Sequence, residues 1–402
     1  MPVTIPDDLV ENHGGRIVLV VMDGLGGLPD TNTGRSELET AITPNLDKLA
    51  AVSALGLHQP VAAGITPGSG PGHLALFGYD PLQWNIGRGV LSALGVGFKL
   101  QPGDIATRLN FATVDDQGRI TDRRAGRPSD DENKRLVAKL RAGVKPPAGV
   151  EIFFESEKEH RVVLVFRGKD LSADLADTDP QETGVPPLPA AATSAASQKT
   201  AAVVQQVLDA GREVLKDETV ANALLARGFA AYGHYPTMAE RFKLRCLAIA
   251  RYPMYRGVAS LVGMDTQAAA ATDEATIDLL AERFDQYDFH FIHFKAVDSR
   301  GEDGDFAAKA KAIEAIDPLI ARIDALNPAV LIVTGDHSTP ARMKVHSWHP
   351  VPVLIKSQWT RPAGAQEFGE RACLAGELGI FPTVHLMTLA LAHAGRLAKF
   401  GA

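Results

Sequence analysis

The chain has 402 residues, of which 45% are apolar and 22% charged, and its formal net charge is −7. This length allows one large hydrophobic core and a second, smaller one, while the mildly acidic charge without a Lys/Arg-rich block argues against nucleic acid or a membrane surface as a partner. The two cysteines lack CxxC spacing and no apolar run reaches the length of a membrane span, which favours a soluble, cytoplasmic protein.

The N-terminal part of the chain has the pattern of a parallel α/β sheet. The apolar, β-branched run 16–22 is typical of a strand covered on both faces, and it ends at Asp23-Gly24. The segment 43–50 then predicts the start of a helix, because Thr43 can cap it and Pro44 occupies its first position. Asp23 is therefore expected at the carboxyl end of a strand, the edge where ligands bind in such sheets.

The next feature is the octet Thr66-Pro67-Gly68-Ser69-Gly70-Pro71-Gly72-His73, followed by an apolar run from Leu74 to Phe77. Its glycines allow a sharp turn and close approach of a ligand, and a helix begun by the apolar run would offer free N–H groups to an anion. Ser69 is our candidate nucleophile, although such an octet alone is more typical of a plain turn. His73 is expected either to bind substrate or to support the start of the helix.

From residue 105 the pattern becomes antiparallel. Alternating residues at 108–114, a turn at 115–118 and a short strand from 119 predict a hairpin, and further strands are expected at 150–154 and 161–166, with a helix at 201–225. The loop after the hairpin contains Arg123, Arg124 and Arg127, whose guanidinium groups suit phosphate or carboxylate, as does the preceding cation Arg88. The alternative is a solvated basic loop.

The parallel pattern returns after residue 237. Strands are predicted at 243–250, 289–295, 329–334 and 351–355, with helices at 273–283, 307–326 and 385–394. We therefore predict an α/β protein with a mostly parallel sheet flanked by helices, formed by residues 1–105 and 237–402, and a smaller α+β domain inserted at 106–236.

Three acidic residues, Asp23, Asp298 and Asp336, each follow an apolar strand of the parallel domain. Because parallel strands share a direction, these side chains are expected to converge at one edge of the sheet. A single aspartate there often caps a helix and a single histidine is usually structural, but the combination is typical of a metal site. With Ser69, His337 and His346, the oxygen and nitrogen donors suit Mn²⁺, Mg²⁺ or Zn²⁺.

A family resemblance covers nearly the whole chain in order. The motifs that support it are Val21-Met-Asp23-Gly-Leu-Gly-Gly, Thr43-Pro-Asn-Leu-Asp47, Pro67-Gly-Ser69, Gly78-Tyr-Asp-Pro81, Gly87-Arg-Gly89, Asn110-Phe-Ala-Thr-Val-Asp115, Asp122-Arg-Arg-Ala-Gly-Arg127 and Thr334-Gly-Asp-His-Ser338. Together these residues resemble archaeal-type 2,3-bisphosphoglycerate-independent phosphoglycerate mutases, which belong to the alkaline phosphatase superfamily.

The resemblance implies interconversion of 3-phosphoglycerate and 2-phosphoglycerate through a phosphoserine at Ser69, with two divalent metal ions. It implies that the inserted domain acts as a lid that excludes water. One metal would be bound by Asp23, Ser69, Asp336 and His337, and the second by Asp298, His346 and the residue four positions after Asp298. The phosphorylated substrate would be bound by Arg88, Asn110, Arg123, Arg124, Arg127, Arg256 and His73.

The sequence departs from the family at Asp298-Ser-Arg-Gly-Glu302, where the usual Asp-x-x-x-His motif has a histidine. Glu302 as a ligand would favour Mn²⁺ or Mg²⁺ over Zn²⁺, or Glu302 would face solvent and His349 would complete the site. The departure keeps two alternatives open. One is a metal-dependent phosphatase or phosphotransferase acting on another small phosphorylated alcohol, and the other is a non-catalytic protein that binds a phosphate ligand.

Overall fold

The computed structural model describes residues 7–84, 86–267, 270–362 and 364–401. Its strands are β1 (Ile17–Met22), β2 (Ala54–Gln59), β3 (Ile105–Val114), β4 (Ile120–Asp122), β5 (Val150–Lys158), β6 (Arg161–Gly168), β7 (Ala223–Ala231), β8 (Cys246–Ala250), β9 (Asp265–Thr266), β10 (Phe289–Phe294), β11 (Val330–Thr334), β12 (Val351–Ser357) and β13 (Gly379–Pro382). Its α-helices are α1 (Glu37–Thr40), α2 (Pro44–Ala50), α3 (Ser69–Leu76), α4 (Arg88–Gly95), α5 (Asp130–Gly143), α6 (Gln198–Leu215), α7 (Met238–Phe242), α8 (Pro253–Leu261), α9 (Asp273–Arg283), α10 (Ala296–Asp303), α11 (Phe306–Asp324), α12 (Glu370–Leu374) and α13 (Leu386–His393).

The larger of two compact units consists of Met1–Asn85 and Tyr235–Ala402. In its described part, the sheet has the order β13-β2-β12-β11-β1-β10-β8-β9. Strand β1 pairs in parallel with β10 and β11, and β10 pairs in parallel with β8, whereas β12 runs antiparallel to both β11 and β2. The predicted fold class, a mostly parallel sheet with helices, is confirmed.

The central strands are buried along their whole length, as their continuous apolar sequences predict. Side chains of α9 and α11, such as Leu280 and Ile320, complete the core on one side. The register sets Met22 beside Phe294 and Val21 beside Thr334, so the residues that follow β1, β10 and β11 emerge next to one another. This edge of the sheet is the one at which the three aspartates were predicted to meet.

The smaller unit, Ile86–His234, contains the antiparallel sheet β4-β3-β6-β5, with β7 on the other side of β3. Helices α5 and α6 cover one face, where Phe111, Leu136 and Val207 share a core. The chain passes from the larger to the smaller unit between residues 85 and 86, which is 20 residues before the predicted boundary at 105/106. Helix α4 belongs to the smaller unit because it contacts β3 and β7. The chain returns to the larger unit at 234/235, close to the predicted 236/237.

The expected helix at 201–225 is wrong in its C-terminal part. Helix α6 ends at Leu215, and the apolar residues from Ala223 begin β7, which pairs antiparallel with β3. The run Ala-Leu-Leu-Ala does not distinguish a helix from a strand by its pattern alone, so the pairing partner decides. None of the helices in the described ranges is both long enough and apolar enough to cross a membrane.

Candidate metal centre and nucleophile

Helix α3 begins at Ser69 itself, five residues before the apolar run that predicted it. Pro71 is tolerated because the first turn of a helix does not use all of its N–H groups. Gly72 is required by a close approach, since a Cβ atom there would lie 2.5 Å from the carbonyl oxygen of Asp336. The half-buried Ser69 hydroxyl is thereby held against the loop that follows β11.

The strand ends bring the three predicted aspartates together. Asp23 follows β1, Asp336 follows β11, and Asp298 lies in the first turn of α10 directly after β10; all three are fully buried. The Gly24 N–H donates to Asp336 Oδ1 at 3.2 Å. Gly24 has a φ of +66°, and a Cβ atom there would lie 2.8 Å from Asp298 Oδ1, so glycine is needed for this packing.

Asp23, Asp336 and His337 form a first group that could hold a metal ion. The Nε2 atom of His337 lies 3.4 Å from Asp23 Oδ1 and 3.2 Å from Asp336 Oδ2. The Ser69 Oγ atom is 3.5 Å from the same nitrogen. The structure thus gathers all four residues predicted for the first metal.

A second group consists of Asp298, His337 and His346. The Nε2 atom of His346 lies 3.6 Å from Asp298 Oδ1 and 3.8 Å from Glu302 Oε1, although the Glu302 side chain is 54% exposed. The rings of His337 and His346 stack with centroids 3.6 Å apart. The other candidate for completing this group, His349, has its Nδ1 atom 3.0 Å from Ser347 Oγ and stacks on Trp348.

The unsatisfied polar atoms of this site fit a divalent cation. In the described part of the chain, the buried oxygens Asp23 Oδ1 and Asp336 Oδ2 have no hydrogen-bond partner, although imidazole nitrogens lie close to both. Burial alone would raise the pKa of Asp23, but His293, His337 and Lys295 hold it well below its usual range. Carboxylate and imidazole donors of this kind bind Mn²⁺, Mg²⁺ or Zn²⁺.

Several side chains around Asp23 were missed by the sequence analysis. Its Oδ2 atom accepts a hydrogen bond from the Tyr255 hydroxyl, lies 3.1 Å from Lys295 Nζ and 3.2 Å from His293 Nε2. Lys295 also lies 2.5 Å from Asp298 Oδ2. The position of Lys295 directly after β10 was a usable signal, but Tyr255 lies on α8 and no motif indicated it.

We expect Tyr255→Phe to weaken Mn²⁺ binding about tenfold, because the hydroxyl fixes Asp23 Oδ2 and so directs Oδ1 towards the first group. Isothermal titration of metal-free protein with Mn²⁺ measures the effect. Tyr252→Phe, at a 42% exposed position nearby on the chain, is the matched control. Equal affinities for the two variants would contradict a positioning role for Tyr255.

Two residues predicted to bind substrate have other partners in the larger unit. His73 is completely buried, and its Nδ1 atom lies 2.8 Å from the Ser69 carbonyl oxygen and 3.2 Å from Asp336 Oδ2. This location favours the alternative expectation, that His73 supports the start of α3. Arg256 donates from Nη1 to the carbonyl oxygens of Ala250 and Arg251, at 3.0 Å and 2.9 Å.

The arginine-rich loop lies in the smaller unit, and one of its three guanidinium groups already has a carboxylate partner. Arg123 donates from Nε and Nη2 to the two carboxylate oxygens of Asp179, both at 2.8 Å, so this face of its guanidinium is occupied. Arg124 and Arg127 are exposed. Of the other predicted substrate ligands, Arg88 is the first residue of α4 and Asn110 lies in β3.

The fold and the site define a class: an α/β protein that presents a serine at a helix start beside two groups of potential metal ligands. The sequence model described as 2,3-bisphosphoglycerate-independent phosphoglycerate mutase matches residues 50–221. A probable enzyme of that description from Thermus thermophilus is 50% identical over 98% of both chains, and one from Aquifex aeolicus is 48% identical over 98% of this chain and 99% of its own.

Solved structures agree with these sequence relatives. A cofactor-independent phosphoglycerate mutase from Thermoplasma acidophilum is 29% identical, with a TM-score of 0.75 over 95% of this chain and all of its own. A protein from Pyrococcus horikoshii is also 29% identical, with a TM-score of 0.83 over 97% of this chain and all of its own. The chain belongs to the family of 2,3-bisphosphoglycerate-independent phosphoglycerate mutases.

Proposed function

We propose that this protein interconverts 3-phosphoglycerate and 2-phosphoglycerate without 2,3-bisphosphoglycerate, through a phosphoserine at Ser69. The observation that carries the proposal is the distance of 3.5 Å between Ser69 Oγ and His337 Nε2, because His337 belongs to both groups of potential metal ligands. Family membership supports the same substrate pair.

The proposed metal ligands are the residues gathered at the sheet edge. Asp23, Ser69, Asp336 and His337 would hold one divalent ion, and Asp298, His346 and Glu302 the other. When bound, such ions supply positive charge that favours the deprotonated serine and offsets the charge of the phosphoryl group. We propose Mn²⁺ or Mg²⁺ over Zn²⁺, because Glu302 adds a hard carboxylate where the family usually has an imidazole.

The proposed reaction consists of two phosphoryl transfers, the first to Ser69 and the second from phosphoserine back to glycerate. The Ser69 oxygen forms a bond to phosphorus while the bond from phosphorus to the substrate's 3-oxygen breaks, and a proton goes to that oxygen. The 2-hydroxyl then attacks phosphoserine, loses its proton, and frees the serine oxygen. The free N–H groups at the start of α3 favour the anionic phosphoryl group near Ser69.

Return of the phosphoryl group to glycerate requires that glycerate stays bound and that water is kept out. We propose that the inserted unit, including Arg88, Asn110, Arg124 and Arg127, serves this purpose. If water entered instead, the same phosphoserine would give a phosphatase. The two activities therefore differ in the acceptor rather than in the nucleophile.

An assay coupled to enolase tests the proposal, with 3-phosphoglycerate as substrate, Mn²⁺ or Mg²⁺ present and 2,3-bisphosphoglycerate omitted. We expect 2-phosphoglycerate to form at least ten times faster than inorganic phosphate is released, and Zn²⁺ to support a lower rate. Release of phosphate as the main product would instead indicate a phosphatase. No turnover by folded, metal-loaded protein would overturn the proposal.

A further inference from the structure

Thr339 lies in the loop that follows β11, shortly after His337, and it is completely buried. Its N–H donates to the carbonyl oxygen of Gly26 at 3.0 Å, which fastens this loop to the loop after β1. A Cβ atom on Gly24 would lie 2.6 Å from Thr339 Oγ1, so the hydroxyl group also packs closely against the loop after β1.

Two helices contact the carbonyl oxygen of Thr339. Lys309 of α11, which is also completely buried, donates from Nζ to this oxygen at 2.8 Å and to the carbonyl oxygen of Gly26 at 3.0 Å. A Cβ atom on Gly301 of α10 would lie 2.2 Å from the same Thr339 oxygen, so α10 can pass here because that residue is glycine. The backbone of Thr339 is therefore fixed, and its hydroxyl group is presented at a defined place.

The hydroxyl group of Thr339 contacts two of the potential metal ligands. Its Oγ1 atom donates to Asp298 Oδ1 at 2.6 Å and lies 3.0 Å from His337 Nδ1. A threonine hydroxyl has a single proton, and an ionised carboxylate can only accept, so the proton of Thr339 is committed to Asp298. His337 Nδ1 must then be the donor to Oγ1.

This arrangement selects one tautomer of His337. A histidine that binds a metal ion is a neutral imidazole and carries one N–H. With that proton on Nδ1, the lone pair is on Nε2, the atom that lies 3.4 Å from Asp23 Oδ1, 3.2 Å from Asp336 Oδ2 and 3.5 Å from Ser69 Oγ. Nε2 is thus available as a metal ligand beside the candidate nucleophile.

The opposite tautomer of His337 fits its surroundings less well. Nδ1 would face Thr339 Oγ1 with a lone pair, and the single proton of the hydroxyl could then satisfy either Nδ1 or Asp298 but not both. All of these residues are completely buried, so leaving one acceptor unpaired is costly. A proton on Nε2 would also occupy the atom that lies nearest to Ser69.

We propose that Thr339 is a positioning residue, which holds His337 with its proton on Nδ1 so that Nε2 can bind the metal ion next to Ser69. The same hydroxyl group fixes the orientation of the Asp298 carboxylate. This inference rests on the proposed function, in which the residues at the sheet edge hold divalent ions. It assigns to Thr339 a role that acts through His337 and Asp298 rather than on the phosphoryl group.

The first measurement locates the proton directly, from the nitrogen chemical shifts of Mg²⁺-saturated protein labelled with ¹⁵N-histidine. His337→Gln identifies the signals of His337. We expect the original chain to carry the proton on Nδ1, with the downfield proton signal of an N–H that donates a hydrogen bond. We expect that signal to move upfield in Thr339→Val, which keeps the shape of the side chain but lacks the hydroxyl, and to return in Thr339→Ser.

The second measurement is isothermal titration of metal-free protein with Mn²⁺. We expect Thr339→Val to weaken binding about tenfold to a hundredfold, the usual effect of removing the partner of a metal-binding histidine. Thr339→Ser should bind Mn²⁺ more tightly than Thr339→Val, because it retains a hydroxyl group. A threonine that only filled space would instead be replaced better by valine than by serine.

Thr276→Val is the matched control. Thr276 is a completely buried threonine of α9 in the same unit, and its hydroxyl donates to the Thr272 carbonyl oxygen at 3.2 Å. We expect this variant to keep both the Nδ1 proton signal and the Mn²⁺ affinity of the original chain. An affinity of Thr339→Val equal to that of the control would overturn the inference. So would a proton on His337 Nε2 in the Mg²⁺-saturated original chain, a result that does not depend on the folding of any Thr339 variant.

Failure of the proposed function gives a different result. In that case the original chain would not isomerise 3-phosphoglycerate in the coupled assay, yet Thr339→Val would still weaken Mn²⁺ binding and the His337 proton would still be on Nδ1. If isomerisation is normal and Thr339→Val binds Mn²⁺ like Thr276→Val, the proposed function stands and the positioning role of Thr339 is wrong.

Discussion

Replacement of Ser69 by alanine is expected to lower the rate of phosphoglycerate isomerisation by at least about 10⁴-fold, because no other group would accept the phosphoryl group. Ser69 Oγ is held near His337 at the start of α3, so the substitution removes the nucleophile while leaving the carboxylates and imidazoles of both metal groups in place. The enolase-coupled assay measures the rate. Mass spectrometry of protein quenched during turnover is expected to show a phosphate on Ser69 in the original chain and none in the variant.

Ser53→Ala is the matched control for this experiment. Ser53 is a buried serine of the same unit whose hydroxyl has no hydrogen-bond partner in the described part of the chain, so its loss leaves the site untouched. We expect the control to keep its rate within about twofold, consistent with loss of a hydroxyl that makes no hydrogen bond. Isomerisation by Ser69→Ala at more than a tenth of the original rate would exclude a phosphoserine intermediate at this position.

The residues at the carboxyl edge of the parallel sheet could be predicted from the sequence, because parallel strands run in the same direction and end at the same edge. Once 16–22, 289–295 and 329–334 are assigned as parallel strands, the residues that follow them must lie side by side. The structure accordingly gathers Asp23, Asp298 and Asp336 as fully buried neighbours. The same reasoning could have found Lys295, which directly follows β10 and contacts the carboxylate of Asp23.

Contacts between distant segments without a shared strand register could not be predicted in this way. Tyr255 reaches Asp23 from α8, and Arg123 is paired with Asp179 from a loop more than 50 residues away. Arg108 and Arg227 likewise become neighbours through the pairing of β3 with β7, a strand whose first three residues lie in the predicted helix 201–225 and whose remainder was not predicted. Sequence motifs therefore identified the arginines of the loop and missed the half-buried Arg108 and Arg227.

His337 connects the two candidate metal sites more directly than any aspartate does. Its imidazole belongs to both groups of potential ligands, stacks on His346, and lies within 4.0 Å of carboxylate oxygens from Asp23, Asp298 and Asp336. Thr339 Oγ1 lies 3.0 Å from His337 Nδ1 and donates to Asp298, so the ring orientation is also linked to the second group. Removal of this one ring should weaken both sites together.

We therefore expect His337→Ala to lose about 10³-fold in isomerisation rate and to bind fewer than two Mn²⁺ ions per chain, because the ligands left behind cannot complete either group. Elemental analysis after dialysis gives the metal content, and the coupled assay gives the rate. His349→Ala is the control: it removes a nearby imidazole whose nitrogen lies 3.0 Å from Ser347, and it should keep both metals. If His337→Ala retained two metals with a rate within tenfold of the original, the shared role of His337 would be wrong. If His349→Ala lost one metal, His349 rather than Glu302 would be the remaining ligand of the second site.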